Sequence, residues 1–167
     1  MLSVDDVRHI SGVNAFRPTP DWDLAAPTAD PNTPGACRPV YDDDAAFGSD
    51  WKQFRSAAYG ALIEQPILPG VAKVTQTVAI YDTPSKAKAA FDAVQKAIPG
   101  CVASGSQPYN TAVENPDPST VLLNGEGWDS AFRVSSSALF RVSSLGLTDD
   151  DRVVIDVLNE LQKLSHS

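Results

Sequence analysis

Five side chains in this sequence have the types and positions to hold a small molecule: Tyr59, Tyr81, Trp128, Arg133 and Arg141. Each falls on a segment with strand character or at its end, as does Trp51. Aromatic rings offer broad apolar faces, and arginine offers a planar fork of donors. Such groups suit a pocket that binds a molecule rather than one that breaks a bond, and they would line a cleft between a sheet and long loops. The competing reading puts Trp128 and Phe132 in the core and turns both arginines to solvent.

Bond-breaking chemistry is poorly supplied. The two histidines lie at His9, in a first helix, and at His166, in a tail expected to fray, so neither is placed as a general base. Without one, the serines lack an activating partner, and Ser135-Ser136-Ser137 reads as a polar hairpin turn. No GxSxG, Walker, HExxH or GxGxxG pattern occurs, and no cofactor is expected. Asp42, Asp43, Asp44 and Asp50 are too irregularly spaced for a calcium loop, and Asp149, Asp150 and Asp151 are explained by a helix N-terminus. Catalytic and metal sites are therefore expected to be absent.

Cys37 and Cys101 are the only cysteines. They form no CxxC pair, and no neighbouring histidines complete a zinc site. Each follows a Pro-Gly turn. Spacing alone leaves a disulfide and two free thiols both open; a bridge here would close a loop of roughly 64 residues and contribute about 4 kcal/mol in the chain-entropy model.

The elements that would position these residues can be read in order. Ser3-Val4-Asp5-Asp6 caps a helix that Gly12 stops. Prolines crowd the stretch from Pro18 to Pro39, so residues 17–50 read as a long irregular segment, of a length that is usually functional or mobile. Strands are predicted over 51–59 and 73–81; in the second, Val74, Gln76, Val78 and Ile80 share one face, opposite Thr75, Thr77, Ala79 and Tyr81. Thr83-Pro84 starts a helix whose stripe is Ala87, Ala90, Phe91, Val94 and Ile98, and Pro99-Gly100 is expected to end it. Residues 105–119 read as loop. Short strands follow near 120–124, 128–134 and 138–143, and Thr148 with the three aspartates opens a closing helix, although 152–158 has strand character too. The sum is one α+β domain over 1–167: an antiparallel sheet with helices packed on one face.

The net charge of −8 excludes a phosphate-tracking surface, so no nucleic acid is expected as a partner. It also opposes adsorption to an anionic membrane, and no apolar run reaches the length of a membrane span. The start at Met1-Leu2-Ser3 fits a cytosolic chain, or a domain whose leader or membrane anchor has been removed.

Gln76-Thr77-Val78-Ala79-Ile80-Tyr81, then Thr83-Pro84-Ser85-Lys86-Ala87, then the helix leading to Cys101, resemble the PknH-like extracellular sensor domain of mycobacteria. That family has a similar Q-x-V-x-x-[YF] strand, an alanine-rich helix and a cysteine after it. Cys37, behind the Pro-rich stretch, is placed like the family's first cysteine, and Ala138–Val142 and residues 148–164 are similar to its late strand and closing helix. The resemblance implies a Cys37–Cys101 disulfide, although the family's second cysteine pair has no counterpart here. It also implies a central cleft for an unidentified ligand and an extracytoplasmic place in the cell envelope, beside a kinase or as a stand-alone lipoprotein. The expected function is a non-catalytic ligand-binding or sensor domain for a small molecule or envelope component, attached to a membrane only through the removed anchor or leader. The alternative is a lipoprotein-type protein-interaction or lipid-carrier module.

Overall fold

The computed structural model describes residues 1–64 and 70–165. Seven antiparallel strands form one sheet: β1 (Arg17–Pro18), β2 (Trp51–Ile63), β3 (Gly70–Tyr81), β4 (Ala112–Asp117), β5 (Thr120–Asn124), β6 (Trp128–Ser135) and β7 (Ala138–Leu145). Their order across the sheet is β1-β2-β3-β7-β6-β5-β4. The helices are α1 (Val4–Ser11), α2 (Arg38–Tyr41), α3 (Asp43–Phe47), α4 (Pro84–Ala103) and α5 (Asp150–Ser165), with a 3₁₀ turn at Pro20–Trp22. The α+β class and the antiparallel sheet are as expected.

The helices cover both faces of the sheet, not one. Successive strand residues point to opposite sides. On β3, Ala72 and Val74 join a core with Val7 of α1 and Val154, Val157, Leu158 and Leu161 of α5. Ala79 and Tyr81 join a second core with Val40, Phe47 and the α4 residues Phe91, Val94 and Ile98. On β7 the alternation repeats, Phe140 and Val142 toward α5 and Leu139 toward α4. A sheet apolar on both sides needs a layer of helices on each. The sequence reading underestimated this because the odd residues of β3 near its start, Lys73 and Thr75, are polar.

Local signals account for most boundaries. Ser3 and Asp6 form the capping box of α1, and Gly12 closes it at φ 73°. Thr83 caps α4 by accepting the Lys86 N–H. α4 does not stop at Pro99-Gly100; it continues to Ala103 with Pro99 inside it. Pro99 lies on the exposed side of the helix, while Ile98 and Cys101 keep to the buried stripe. Residues 112–117, read as loop, form β4, an exposed edge strand that carries Pro116, where an edge tolerates proline. The α5 segment is helical, which resolves its strand alternative.

One buried polar group ties the N-terminus to the sheet. Gln76, fully buried on β3, accepts the Leu2 N–H through Oε1 at 3.0 Å and donates Nε2 to the Leu2 carbonyl at 2.8 Å. Its amide thus serves Leu2 as a neighbouring strand would. On the other face the Cys37–Cys101 disulfide, with Cα atoms 4.5 Å apart, joins the end of the Pro-rich segment to the last turn of α4. Both cysteines are buried.

Intact-mass analysis under non-reducing, alkylating conditions is expected to show no added label. Replacing Cys37 and Cys101 together by alanine should lower the urea-unfolding free energy by about 2–4 kcal/mol. A loss under about 1 kcal/mol would mean that packing alone holds the Pro-rich segment.

Candidate functional site

Helix α4 shields only part of its face of the sheet. Beyond it, the start of β3 and the end of β7 are roofed by the Pro-rich segment, by α2 and α3, and by the loop after α4. The space between is a cleft with a volume of about 530 Å³. Its floor follows from the β3–β7 register, which sets Thr77 opposite Arg141, Thr75 opposite Ser143 and Lys73 opposite Leu145.

The walls are aromatic. Tyr41, on the last residue of α2, packs against Tyr109 with ring centroids 4.7 Å apart and meets Trp128 edge-on at 5.5 Å. Burial pushes the Tyr41 hydroxyl pKa above its ordinary value. The Trp128 indole lies against Gly125, where an added Cβ would meet ring atoms at 2.4 Å, so the absence of a side chain at 125 sets the ring's position. Across the cleft Trp22 projects from the 3₁₀ turn, with Lys73 Nζ 3.1 Å above its ring centroid. That segment is hung on β2: Thr19 donates its N–H to the Ala58 carbonyl, Leu24 and Ser56 exchange backbone hydrogen bonds, and Asp23 pairs with Arg55 at 2.6 Å.

Arg141 crosses the floor. Its NH1 bonds Asp43 Oδ1 at 2.6 Å, and both side chains are largely shielded. This ion pair fixes α3 over β7 and sets a donor fork and a carboxylate side by side at the cleft.

Of the five residues expected at a binding site, Trp128 and Arg141 line this cleft. The other three are not brought to it. Tyr81 lies on the same face but deeper, beneath α3, with its hydroxyl donating to the Phe47 carbonyl at 2.8 Å; burial pushes its pKa up to about 12. Tyr59 points to the opposite face and donates to the Leu2 carbonyl at 2.7 Å. Arg133, on that face too, bonds Thr120 through Nε and Asn159 through NH1, each at 2.8 Å, clasping β5 and α5. Period two on β2 and β6 carries this information, since Tyr59 shares parity with Ala61, and Arg133 with Ala131, both in the α1/α5 core. Trp22, Tyr41, Lys73 and Tyr109 were not singled out from the sequence, and Asp43 was weighed only as part of a calcium loop. All but Lys73 lie in stretches that the sequence reads as irregular, where no periodicity assigns a face; Lys73 could have been found from its parity with Thr75 and Thr77.

A second groove, of about 560 Å³, lies on the opposite face. Its floor is Val78, Ile80 and Phe140 beside Leu161 and Leu164, and its rim cations Lys52 and Arg55 already pair with Asp82 and Asp23. It offers apolar surface but few available polar groups. Among the described residues no cluster of three or more metal-ligating side chains occurs, and His9 is exposed on α1. His166 lies outside the described residues. Asp42 caps α3 and pairs with Arg38 at 2.9 Å, so it and Asp43 have structural partners.

Comparison with known proteins places these features in a family. The sequence matches the family described as the PknH-like extracellular domain over residues 1–163. The fold is similar to the crystal structure of the extracellular domain of PknH from Mycobacterium tuberculosis, with a TM-score of 0.72 at 17% identity, covering 98% of this chain and 93% of that one. No curated protein matches the sequence.

Directly behind Trp128, Asp129 is buried, and its pKa is pushed up to about 6, first by burial and then by the neighbouring Asp150, Asp151 and Glu114. Asp150 is raised by burial as well, against a hydrogen bond from Ser144. The native Asp129 carboxyl therefore holds its proton to a higher pH than the unfolded one, whose pKa is about 3.9. Native stability should fall as pH rises from about 4 to 6, and the full cost persists above. Asp129→Asn is expected to stabilise the protein by on the order of 2 kcal/mol at pH 7, with the gain fading between pH 6 and 4. Denaturant curves at pH 4, 5.5 and 7 measure this, and a gain that does not change with pH would contradict it.

Proposed function

The chain belongs to the PknH-like extracellular domain family, and on that premise we propose that it is a non-catalytic, extracytoplasmic sensor-type domain that binds a small molecule in the β3–β7 cleft. The observation that carries this reading is the cleft itself: aromatic walls, an ion pair and strand hydroxyls converge on one space the size of a ligand site. An enzyme would need a nucleophile activated by a placed base, whereas the cleft hydroxyls that meet a carboxylate, Thr33 on Asp30 and Ser144 on Asp150, have no histidine beside them among the described residues. The single disulfide suits an oxidising compartment. No described helix is long and apolar enough to cross a membrane, so attachment to a mycobacterial-type envelope would come from an anchor or leader supplied in addition to these elements.

A second reading, a protein-interaction or lipid-carrier module, draws on the apolar groove of the opposite face and on Leu62 and Val71. These two residues pair across β2 and β3 and are exposed by 73% and 58%. It is the weaker reading, because the rim cations of that groove, Lys52 and Arg55, are already paired with carboxylates and leave few polar groups to orient a ligand.

The two sites separate in a thermal-shift experiment with lipid-free and lipid fractions of a mycobacterial envelope extract. Trp128→Ala is expected to abolish the rise in Tm caused by the lipid-free fraction while leaving the basal Tm within a few degrees. Tyr59→Ala should cost about 2–4 kcal/mol of basal stability and keep the ligand response. A response confined to the lipid fraction and untouched by Trp128→Ala would favour the carrier reading.

A further inference from the structure

The charged groups lining the cleft are Asp30, Asp43, Lys73 and Arg141. Asp43 and Arg141 neutralise each other. The Asp30 carboxylate accepts the Asn32 N–H at 2.9 Å and the Thr33 hydroxyl at 3.0 Å, and these bonds hold its pKa below the ordinary value. Among the described residues Lys73 is left without a carboxylate, and its ammonium rests on the Trp22 ring. Burial holds the Lys73 pKa below its ordinary value, as expected of a cation whose water has been partly removed and not replaced by a counter-ion. Such a group stands ready to accept an anion, in a protein whose overall charge is −8.

Its neighbours narrow the ligand further. Thr75 and Ser143 face each other across the β3–β7 register, and neither hydroxyl makes a hydrogen bond within the described residues. Thr77, one step along, is already bonded to Ser56 at 3.0 Å. The Asp43–Arg141 pair presents an acceptor beside a donor, the arrangement that a vicinal diol completes. Trp22 and Trp128 offer flat apolar faces. Rings for the C–H face, hydroxyls and an ion pair for the O–H groups, and one unpaired cation describe a polyhydroxylated ring that carries a negative charge.

Resting on the cleft reading above, we infer that the ligand is an anionic saccharide, a sugar bearing a carboxylate or a phosphate, with the charged group on Lys73 and the ring held between the aromatic walls.

The test uses the full chain and amide correlation spectra titrated with glucose, glucuronate, glucose 6-phosphate and inorganic phosphate. The two charged sugars should shift the amides of residues 73–77 and 141–145 along saturable curves, about tenfold or more tighter than glucose, the factor expected of one charge-assisted hydrogen bond. Lys73→Met keeps the apolar stem over Trp22 and should erase that difference; Lys73→Arg should restore most of it. Unchanged Tm values in both variants verify folding. Glucose binding as tightly as glucuronate would leave the cleft reading in place and overturn the inference. Inorganic phosphate matching the sugar phosphate would remove the saccharide from it. An advantage that survives Lys73→Met would remove Lys73. Silence from all four probes would overturn the inference, with the thermal response of Trp128→Ala deciding separately whether the cleft binds anything.

Discussion

The pairing of β3 with β7 joins the β2–β3 hairpin to the β4–β7 meander, and the positions of both helical layers follow from its register. Eight consecutive residue pairs, from Lys73–Leu145 to Ile80–Ala138, hold it. A slip by one residue would turn Val74 and Val142 out of the α1/α5 core and send Arg141 away from Asp43. Such a slip would also turn Lys73 or Arg141 toward the apolar side chains Val154, Val157 and Leu158. The cost of misplacing those cations makes the register specific, and the same register aligns the hydroxyls and charges of the cleft floor.

The roof depends on a different device. The segment from Arg17 to Asp50 contains too little regular structure to hold itself, and it is fixed at intervals. Backbone bonds at Thr19 and Leu24 hang it on β2, the Cys37–Cys101 bridge ties its far end to α4, and Arg141 grips Asp43. Tyr41 sits four residues past the bridge and Asp43 six past it, so the disulfide governs where the aromatic wall stands. In a domain without a second bridge, this tether and the Asp43–Arg141 pair carry the task together. Loops hung between fixed points over a rigid sheet are a common way to build a binding site.

Where the chain is periodic, the sequence was legible. The capping box at Ser3, the Thr83-Pro84 helix start, the alternation along 73–81 and the three late strands all appear in the structure. The Q-x-V-x-x-[YF] strand pointed to the family, and the structure supplies a physical reason for its glutamine, which clasps the Leu2 backbone. What could not be read arises from long-range placement. Tyr59 and Arg133 are as aromatic or as charged as the true lining residues, but their polar ends meet Leu2, Thr120 and Asn159 across distances in sequence that no local pattern reveals. Trp22 and Tyr41 carry no periodic signal, because proline-rich backbone has no fixed face. The extension of α4 past Pro99 was hidden for a similar reason: whether a proline ends a helix depends on which side of the helix meets water.

If this fold holds a ligand over β3 and β7, native mass spectrometry detects it on the intact chain. The protein would be equilibrated with a lipid-free mycobacterial envelope extract, desalted and sprayed intact. One adduct of fixed mass and 1:1 stoichiometry is expected on the native chain and none on Trp128→Ala. A bare mass for the native chain, or the same adduct on both proteins, would contradict it.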